Sequence, residues 1–406
     1  MMAPHSNLPM TYQCDEIRNG NGAEMNRKIK VSVVVPVFNT VDYLSECLDS
    51  IVGQTLPEIE VIVVDDGSTD GSFDLAQRYV SRDSRVSLLR SGSNGVGPGV
   101  ARNLGIRSSN GEYIAFIDSD DIIDVDMLRD MYERAVVHQS DVIMCQIVKF
   151  SDAAPKEKFG RCSYDQHVSS ELEGVSFTWR DLDNVFLLRF ASCNKIYRRE
   201  YLIQNGIAYT EGAFYEDMVF TYRALLQAES LQVVKKGYYL NRRQRVGATT
   251  FTQGGHVYGA LAALTELEEF LSTSGNYRDL KLKFAVFKFS KLFEYLHKND
   301  AEHMPAFYDE LQRCADDKLL DANPFLSENL AAKRDIIRET ELLRFLVWEI
   351  WDVKTKNAKV SRQKNRLRSA NHSLRVQNER LSSRKIFRIE RNLRNLQRRL
   401  VGGARG

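Results

Sequence analysis

Apolar residues begin to arrive in ordered blocks at about residue 30. Val31–Val37 is a near-continuous branched run, the pattern of a strand buried on both faces. Val41, Leu44, Leu48, Ile51 and Val52 then fall at helical spacing, which predicts a helix over 41–54. A second buried strand, 59–64, runs into Asp65-Asp66-Gly67-Ser68 and is followed by a helix over 70–81. A third strand spans 86–89, and a loop carrying Gly92, Gly95, Gly97 and Gly99 leads into a helix through 101–106. Residues 113–117 read as a fourth buried strand, which ends in Asp118-Ser119-Asp120-Asp121. A helix over 125–138 and a strand over Val142–Phe150 follow. This alternation predicts an α/β fold with a doubly wound parallel sheet.

Later segments are less regular. Residues 151–180 are polar and read as a loop over a site, before the segment 191–197, a helix starting near Tyr215 and a strand over 231–240. Beyond Gly255 the apolar stripes are helical, over 257–271, 280–296 and 336–353. In the tail, Val353, Val360, Leu367, Leu374 and Leu381 recur every seven residues, with Asn357, Lys364, Asn371 and Asn378 on the companion seam. Apolar d and polar a positions predict a parallel, register-fixed coiled coil. The expected organisation is a disordered leader over 1–27, an α/β domain over 28–250, a helical region over 251–340 and a basic coiled-coil tail over 341–406.

Bulk composition, 43% hydrophobic and 27% charged over 406 residues, excludes no soluble class, but the charge is lopsided. Residues 354–406 hold 17 Lys/Arg against two acids, Glu379 and Glu390. From totals of 56 and 54, that leaves 39 basic and 52 acidic residues elsewhere. A body of net charge −13 thus carries a tail of +15. Such a tail suits a homodimer contact and an anionic membrane surface. Nucleic acid is disfavoured, because only Phe387 interleaves an aromatic ring with those charges. No apolar run reaches the ~20 residues that cross a bilayer; the nearest, 342–350, contains Arg344 and Glu349. Cys14, Cys47, Cys145, Cys162, Cys193 and Cys314 lack CxxC spacing and read as free thiols. With no signal-peptide pattern, a cytoplasmic protein is expected, peripheral at the inner face of the cell membrane.

The candidate chemistry collects where the predicted strands end. Three carboxylates after a buried strand are costly without a cation, and oxygen-only donors suit Mg²⁺ or Mn²⁺ shared with phosphate. That end of an open α/β sheet is where a ligand crevice lies. Val-Pro-Val-Phe-Asn (35–39), Val-Asp-Asp-Gly-Ser-Thr-Asp (64–70), Gly-Val-Ala-Arg-Asn-Leu-Gly (99–105) and Phe-Ile-Asp-Ser-Asp-Asp (116–121) all fall there. A sugar nucleotidyltransferase would place its Gly-rich, Arg-containing loop directly after the first strand, where this chain has Val-Phe-Asn-Thr. An oxidoreductase fails the same test, since Gly95-x-Gly97-x-Gly99 follows the third strand.

The combination resembles the family 2 glycosyltransferases, inverting enzymes of the GT-A fold that act in bacterial cell-surface glycan synthesis, over about residues 30–250. The resemblance implies a nucleotide-sugar donor. Phe38, after Pro36, would stack on a pyrimidine; Asp66 would accept its N3–H, favouring uracil over cytosine; and Asp65 would lie near the ribose. Gly99, Arg102 and Asn103 would run along the ribose and sugar phosphate, with Ser119 also on the nucleotide. Asp118-x-Asp120 matches the metal motif, with Asp120 the direct ligand and Asp118 near the ribose or a metal-bound water. Glu216-Asp217 resembles the family's acidic pair at a helix start, which makes Asp217 the base and Glu216 its partner or an acceptor binder. Lys195 and the cluster Arg242, Arg243 and Arg245 are candidates for substrate contact. The implied acceptor is a hydroxyl of a glycan, a teichoic-acid-like polymer, a lipid-linked oligosaccharide or a protein. With no C-terminal transmembrane pair, a peripheral, non-processive enzyme is expected. The alternative is a degenerate glycosyltransferase-like scaffold acting through its coiled coil.

Overall fold

Strand β1 (Val31–Val37) is buried along its whole length, and the sheet grows outward from it. It pairs in parallel with β2 (Ile59–Asp65) on one side and β4 (Tyr113–Phe116) on the other, and β2 pairs in parallel with β3 (Val86–Arg90). The chain therefore leaves β1 in one direction and returns to its opposite flank for β4. That reversal opens a crevice at the carboxyl ends of β1 and β4. The computed structural model describes residues 28–92, 97–152, 168–243, 259–275, 277–296 and 304–341.

The connecting helices are α1 (Val41–Val52), α2 (Ser72–Arg82) and α3 (Pro98–Ser108). Side chains alternate along β1, so Val31, Val33, Val35 and Val37 share one core with Leu44, Cys47, Leu48 and Ile51 of α1. Met127, Leu128 and Met131 of α4 (Met127–Val137) join that core. Val34 points the other way, into α3, where a Cβ on Gly105 would lie 2.2 Å from a Val34 methyl. Only glycine lets this helix sit so close to the strand.

The second half departs from the predicted parallel pattern. β7 (Lys195–Arg198) runs antiparallel between β4 and β6 (Val142–Phe150), and β6 pairs in parallel with β8 (Leu231–Arg242). A two-residue strand, β5 (Ile122–Ile123), pairs antiparallel with β8 just before the helix expected over 125–138. The full order is β3-β2-β1-β4-β7-β6-β8-β5. The sheet is mixed because the long excursion after β6 brings the chain back from the opposite end, and periodicity carries no strand direction.

After the short α5 (Arg199–Gln204), helix α6 (Glu216–Gln227) packs over the face opposite α1. Phe220 of α6 and Phe116 of β4 meet edge-on at 5.6 Å between centroids, and Tyr209 stacks flat on Phe220 at 3.9 Å. Helices α7 (Gly259–Thr273), α8 (Tyr277–Leu296) and α9 (Met304–Asp316) pack in succession from α6, and α10 (Glu328–Glu339) closes the described chain. Among the described residues no helix is long and apolar enough to cross a membrane. The chain divides into two compact units, Met1–Ala331 and Ala332–Gly406, and the whole sheet lies in the first. The expected leader and coiled coil lie outside the described residues, as does the boundary expected near 250.

Candidate active site

Four strand-end segments and the start of α6 converge on the crevice. β1 ends in Phe38, whose side chain stays 48% exposed, and in Asn39, whose backbone turns into the left-handed region at φ 51°. Asn39 Oδ1 accepts from Thr69 N at 2.8 Å, which ties the β1 and β2 end loops together. An aromatic ring kept this open at the carboxyl end of a buried strand is a ready platform for a flat ligand.

Asp65 and Asp66, both buried, diverge in task. Asp65 turns back on its own loop and accepts from Gly67 N (3.2 Å) and Ser68 N (3.3 Å). Asp66 accepts from Ser91 Oγ (2.5 Å) and Gly97 N (3.1 Å), so it anchors the end of the glycine loop.

The aspartates after β4 also sort into different roles. Asp118 and Asp120 are half-buried, whereas Asp121 is buried. Asp121 accepts from Tyr239 Oη (2.7 Å), Asn241 Nδ2 (3.0 Å) and Arg242 N (2.7 Å), all from the end of β8. Burial raises its pKa well above the carboxylate range, and the charges of Asp120 and Asp118 add to the rise. The run thus splits: Asp121 faces inward onto the end of β8, whereas Asp118 and Asp120 keep part of their surface open.

Across from them, Glu216 and Asp217 occupy the first turn of α6. Tyr215 caps that helix with φ 65°, a left-handed conformation costing a non-glycine residue about 1 kcal/mol. Its ring packs against Tyr295 of α8 at 4.9 Å, which holds the strained turn. Burial, then the neighbouring Glu216 charge, push the Asp217 pKa up to about 8. Arg102 joins the two acidic pairs: Nη1 donates to Glu216 Oε1 at 2.7 Å and Nη2 to Asp118 Oδ1 at 2.8 Å.

The pattern of glycosyl transferase family 2 matches residues 32–206. Glycosyltransferase GlyG of Streptococcus pneumoniae is 30% identical over 219 residues, which cover 53% of this chain and 71% of that protein. The chain belongs to glycosyl transferase family 2. Glycosyltransferase EpsJ of Bacillus subtilis is 30% identical over 221 residues, 52% of this chain and 60% of that protein. Poly(ribitol-phosphate) beta-N-acetylglucosaminyltransferase TarS of Staphylococcus aureus is 32% identical over 223 residues, 53% of this chain but 36% of that protein. The crystal structure of TarS 1–349 in complex with UDP-GlcNAc aligns with a TM-score of 0.58 at 24% identity, over 76% of this chain and 87% of that one. That likeness shows the fold, a mixed α/β GT-A-like domain.

On this family 2 scaffold, several expected ligand contacts are already engaged by the protein. The Asn103 amide donates to Tyr209 O (2.9 Å) and Glu211 Oε1 (3.0 Å), and its oxygen accepts from Tyr209 N (2.9 Å). Ser119 is buried and accepts from Thr40 Oγ1 at 3.0 Å. A Cβ on Gly99 would lie 3.1 Å from Thr210 O and 3.2 Å from Glu216 Cγ, so glycine there lets α3 approach the acidic pair. These three positions hold the site together.

The basic candidates are likewise redistributed. Lys195 is fully buried, not on the surface, and donates to Ala191 O (2.6 Å), Arg189 O (3.3 Å) and Asn194 Oδ1 (2.9 Å). Burial lowers its pKa to about 8. Arg242 is the member of its cluster beside the aspartates: Nε donates to Asp120 O at 2.9 Å, Nη2 to Glu46 Oε2 at 2.5 Å, and Nη1 to Asp152. Its side chain is 2% exposed, between the Tyr43 and Phe150 rings, so it pins the aspartate loop. Arg243 donates to Asn241 Oδ1 at 3.3 Å, and Arg245 lies outside the described residues. Sequence reasoning missed Tyr239 and Asn241. Their period-two placement at the end of an apolar strand was the available signal.

Proposed function

We propose that this family 2 chain is a metal-dependent inverting glycosyltransferase that moves a sugar from a UDP-sugar to an acceptor hydroxyl. The observation that carries the reading is the facing of two acidic pairs, Asp118/Asp120 and Glu216/Asp217, across one crevice with Arg102 between them. Phe38 would stack on the base, and Asp66 would accept the uracil N3–H.

The partly exposed carboxylates of Asp118 and Asp120 are hard oxygen donors that fit Mg²⁺ or Mn²⁺ by donor chemistry. When bound, such an ion supplies Lewis-acid neutralisation of the leaving diphosphate.

Asp217 takes the proton of the acceptor hydroxyl. The resulting oxygen attacks the anomeric carbon opposite the nucleotide, the bond from that carbon to the diphosphate oxygen breaks, and its electron pair leaves with UDP. Backside attack inverts the anomeric centre. The raised pKa of Asp217 suits a base working near neutral pH.

The name of TarS, a poly(ribitol-phosphate) beta-N-acetylglucosaminyltransferase, supports a polyol-phosphate acceptor. The basic heptad tail supports a homodimer peripheral to an anionic membrane. Removing 354–406 should then abolish both dimerisation and liposome binding. The test of the transferase reading is hydrolysis of UDP-, GDP- and CDP-sugars with Mn²⁺. Turnover of a UDP-sugar, lost in Asp120→Ala, is expected. Turnover confined to a GDP-sugar overturns the uridine reading, and no turnover together with no metal-dependent UDP binding overturns the transferase reading.

A further inference from the structure

We infer that Arg102 is a positioning residue that couples the donor side of the site to the acceptor side, so that occupancy of one half is felt by the other. The inference rests on the donor reading above. Arg102 is 8% exposed, carries a single positive charge and divides it between two carboxylates from distant parts of the chain. One, Asp118, ends β4 beside the proposed metal ligand Asp120. The other, Glu216, begins α6 beside the proposed base Asp217. The guanidinium plane lies 5.2 Å from the Tyr209 ring, and Nε is buried without a hydrogen-bond partner.

A guanidinium with five N–H donors is ordinarily satisfied when buried, so an orphaned Nε marks a group held by its two charged partners alone. The partners compete for it. A cation taken up by Asp118 draws electron density from that carboxylate and weakens its bond to Nη2. The guanidinium charge then moves toward Glu216. Conversely, removing the Glu216 charge leaves Arg102 wholly to Asp118 and makes Asp118 a poorer partner for a cation. Coupling of binding free energies is reciprocal, so the acceptor-side carboxylate must alter donor-side affinity even with no acceptor present. Donor·metal binding thereby sets the charge beside the base before the acceptor arrives. This gives the device a purpose, since a base readied only in the loaded enzyme limits idle chemistry.

The test is isothermal titration of UDP with Mn²⁺ into wild type, Glu216→Gln, Arg102→Lys and the double variant, each checked for fold by circular dichroism. Gln keeps the shape and an acceptor oxygen while deleting the charge; Lys keeps the charge while deleting the fork that spans both carboxylates. We expect Glu216→Gln to weaken Mn²⁺-dependent UDP binding about five- to tenfold. The same change in the Arg102→Lys background should have no such effect. A merely structural role for Arg102 would make the two changes additive. If Glu216→Gln binds UDP·Mn²⁺ as wild type does, or acts equally in both backgrounds, the coupling is wrong while the donor reading stands. Should wild type itself show no metal-dependent UDP binding, the donor reading fails and the coupling falls with it. If Arg102→Lys does not fold, Arg102→Gln, which withdraws the guanidinium charge from both carboxylates, replaces it in the cycle.

Discussion

Tyr239 donates to Asp121 at 2.7 Å across 118 residues of chain, and this bond separates the third aspartate of the DSDD run from the other two. Asp121 serves as the fixed point from which Asp118 and Asp120 project. Asp121→Ala would leave Tyr239 Oη, Asn241 Nδ2 and Arg242 N–H without their acceptor. We expect a loss of about 2–4 kcal/mol in urea unfolding, because three buried donors lose their common acceptor and bear their desolvation cost. An exposed, metal-binding Asp121 would instead leave stability unchanged.

Phe38 gives the opposite profile. Its ring is half exposed and supports little of the core. Phe38→Ala should shift unfolding by less than about 0.5 kcal/mol. If the ring stacks on the base, UDP affinity should fall about 5- to 150-fold, the equivalent of about 1–3 kcal/mol per stacked base. Equal binding of UDP by both proteins would remove Phe38 from the nucleotide site.

Lys195 separates structure from substrate contact. Its ammonium is held by two backbone carbonyls and Asn194 inside the protein. Lys195→Ala should cost about 2–4 kcal/mol through the lost stem packing and unpaired carbonyls, with UDP affinity unchanged in protein that remains folded. Loss of UDP affinity at full stability would place the amine on the diphosphate instead.

Much of the first 120 residues was legible in the sequence. The apolar runs of β1, β2 and β4 were long and bounded, and their ends carried the aspartates that now line the crevice. What could not be read was which aspartate faces inward. Asp120 and Asp121 are adjacent in sequence, and only the end of β8, over a hundred residues away, distinguishes them. The same holds for Asn103, whose partners at Tyr209 and Glu211 are set by tertiary packing. The antiparallel β7 was hidden because a buried strand looks alike in either direction.

Asp217 makes a pH-dependent prediction whose sign follows from its raised pKa. The folded protein binds a proton at this carboxyl up to about pH 8, whereas the unfolded chain releases it near the ordinary aspartate value of 3.8. Between those values the native state holds more protons, so stability from this group is greatest in acid and declines as pH rises through the window. The open face of the half-buried side chain moderates the size of the effect. Asp217→Asn should therefore raise the Tm relative to wild type at pH 8 and lose that advantage near pH 4. An equal shift at both pH values would show that the carboxyl is not strained by its surroundings.

The central claim is that Asp217 performs the chemistry while Asp118 and Asp120 serve the donor. It is tested most directly by turnover of a UDP-sugar in Asp217→Asn, measured as UDP release at saturating Mn²⁺ beside UDP affinity in the same variant. Loss of a general base should lower turnover by about 10²- to 10⁴-fold with UDP·Mn²⁺ affinity retained. Turnover at the wild-type rate, or parallel loss of nucleotide binding, would contradict the account.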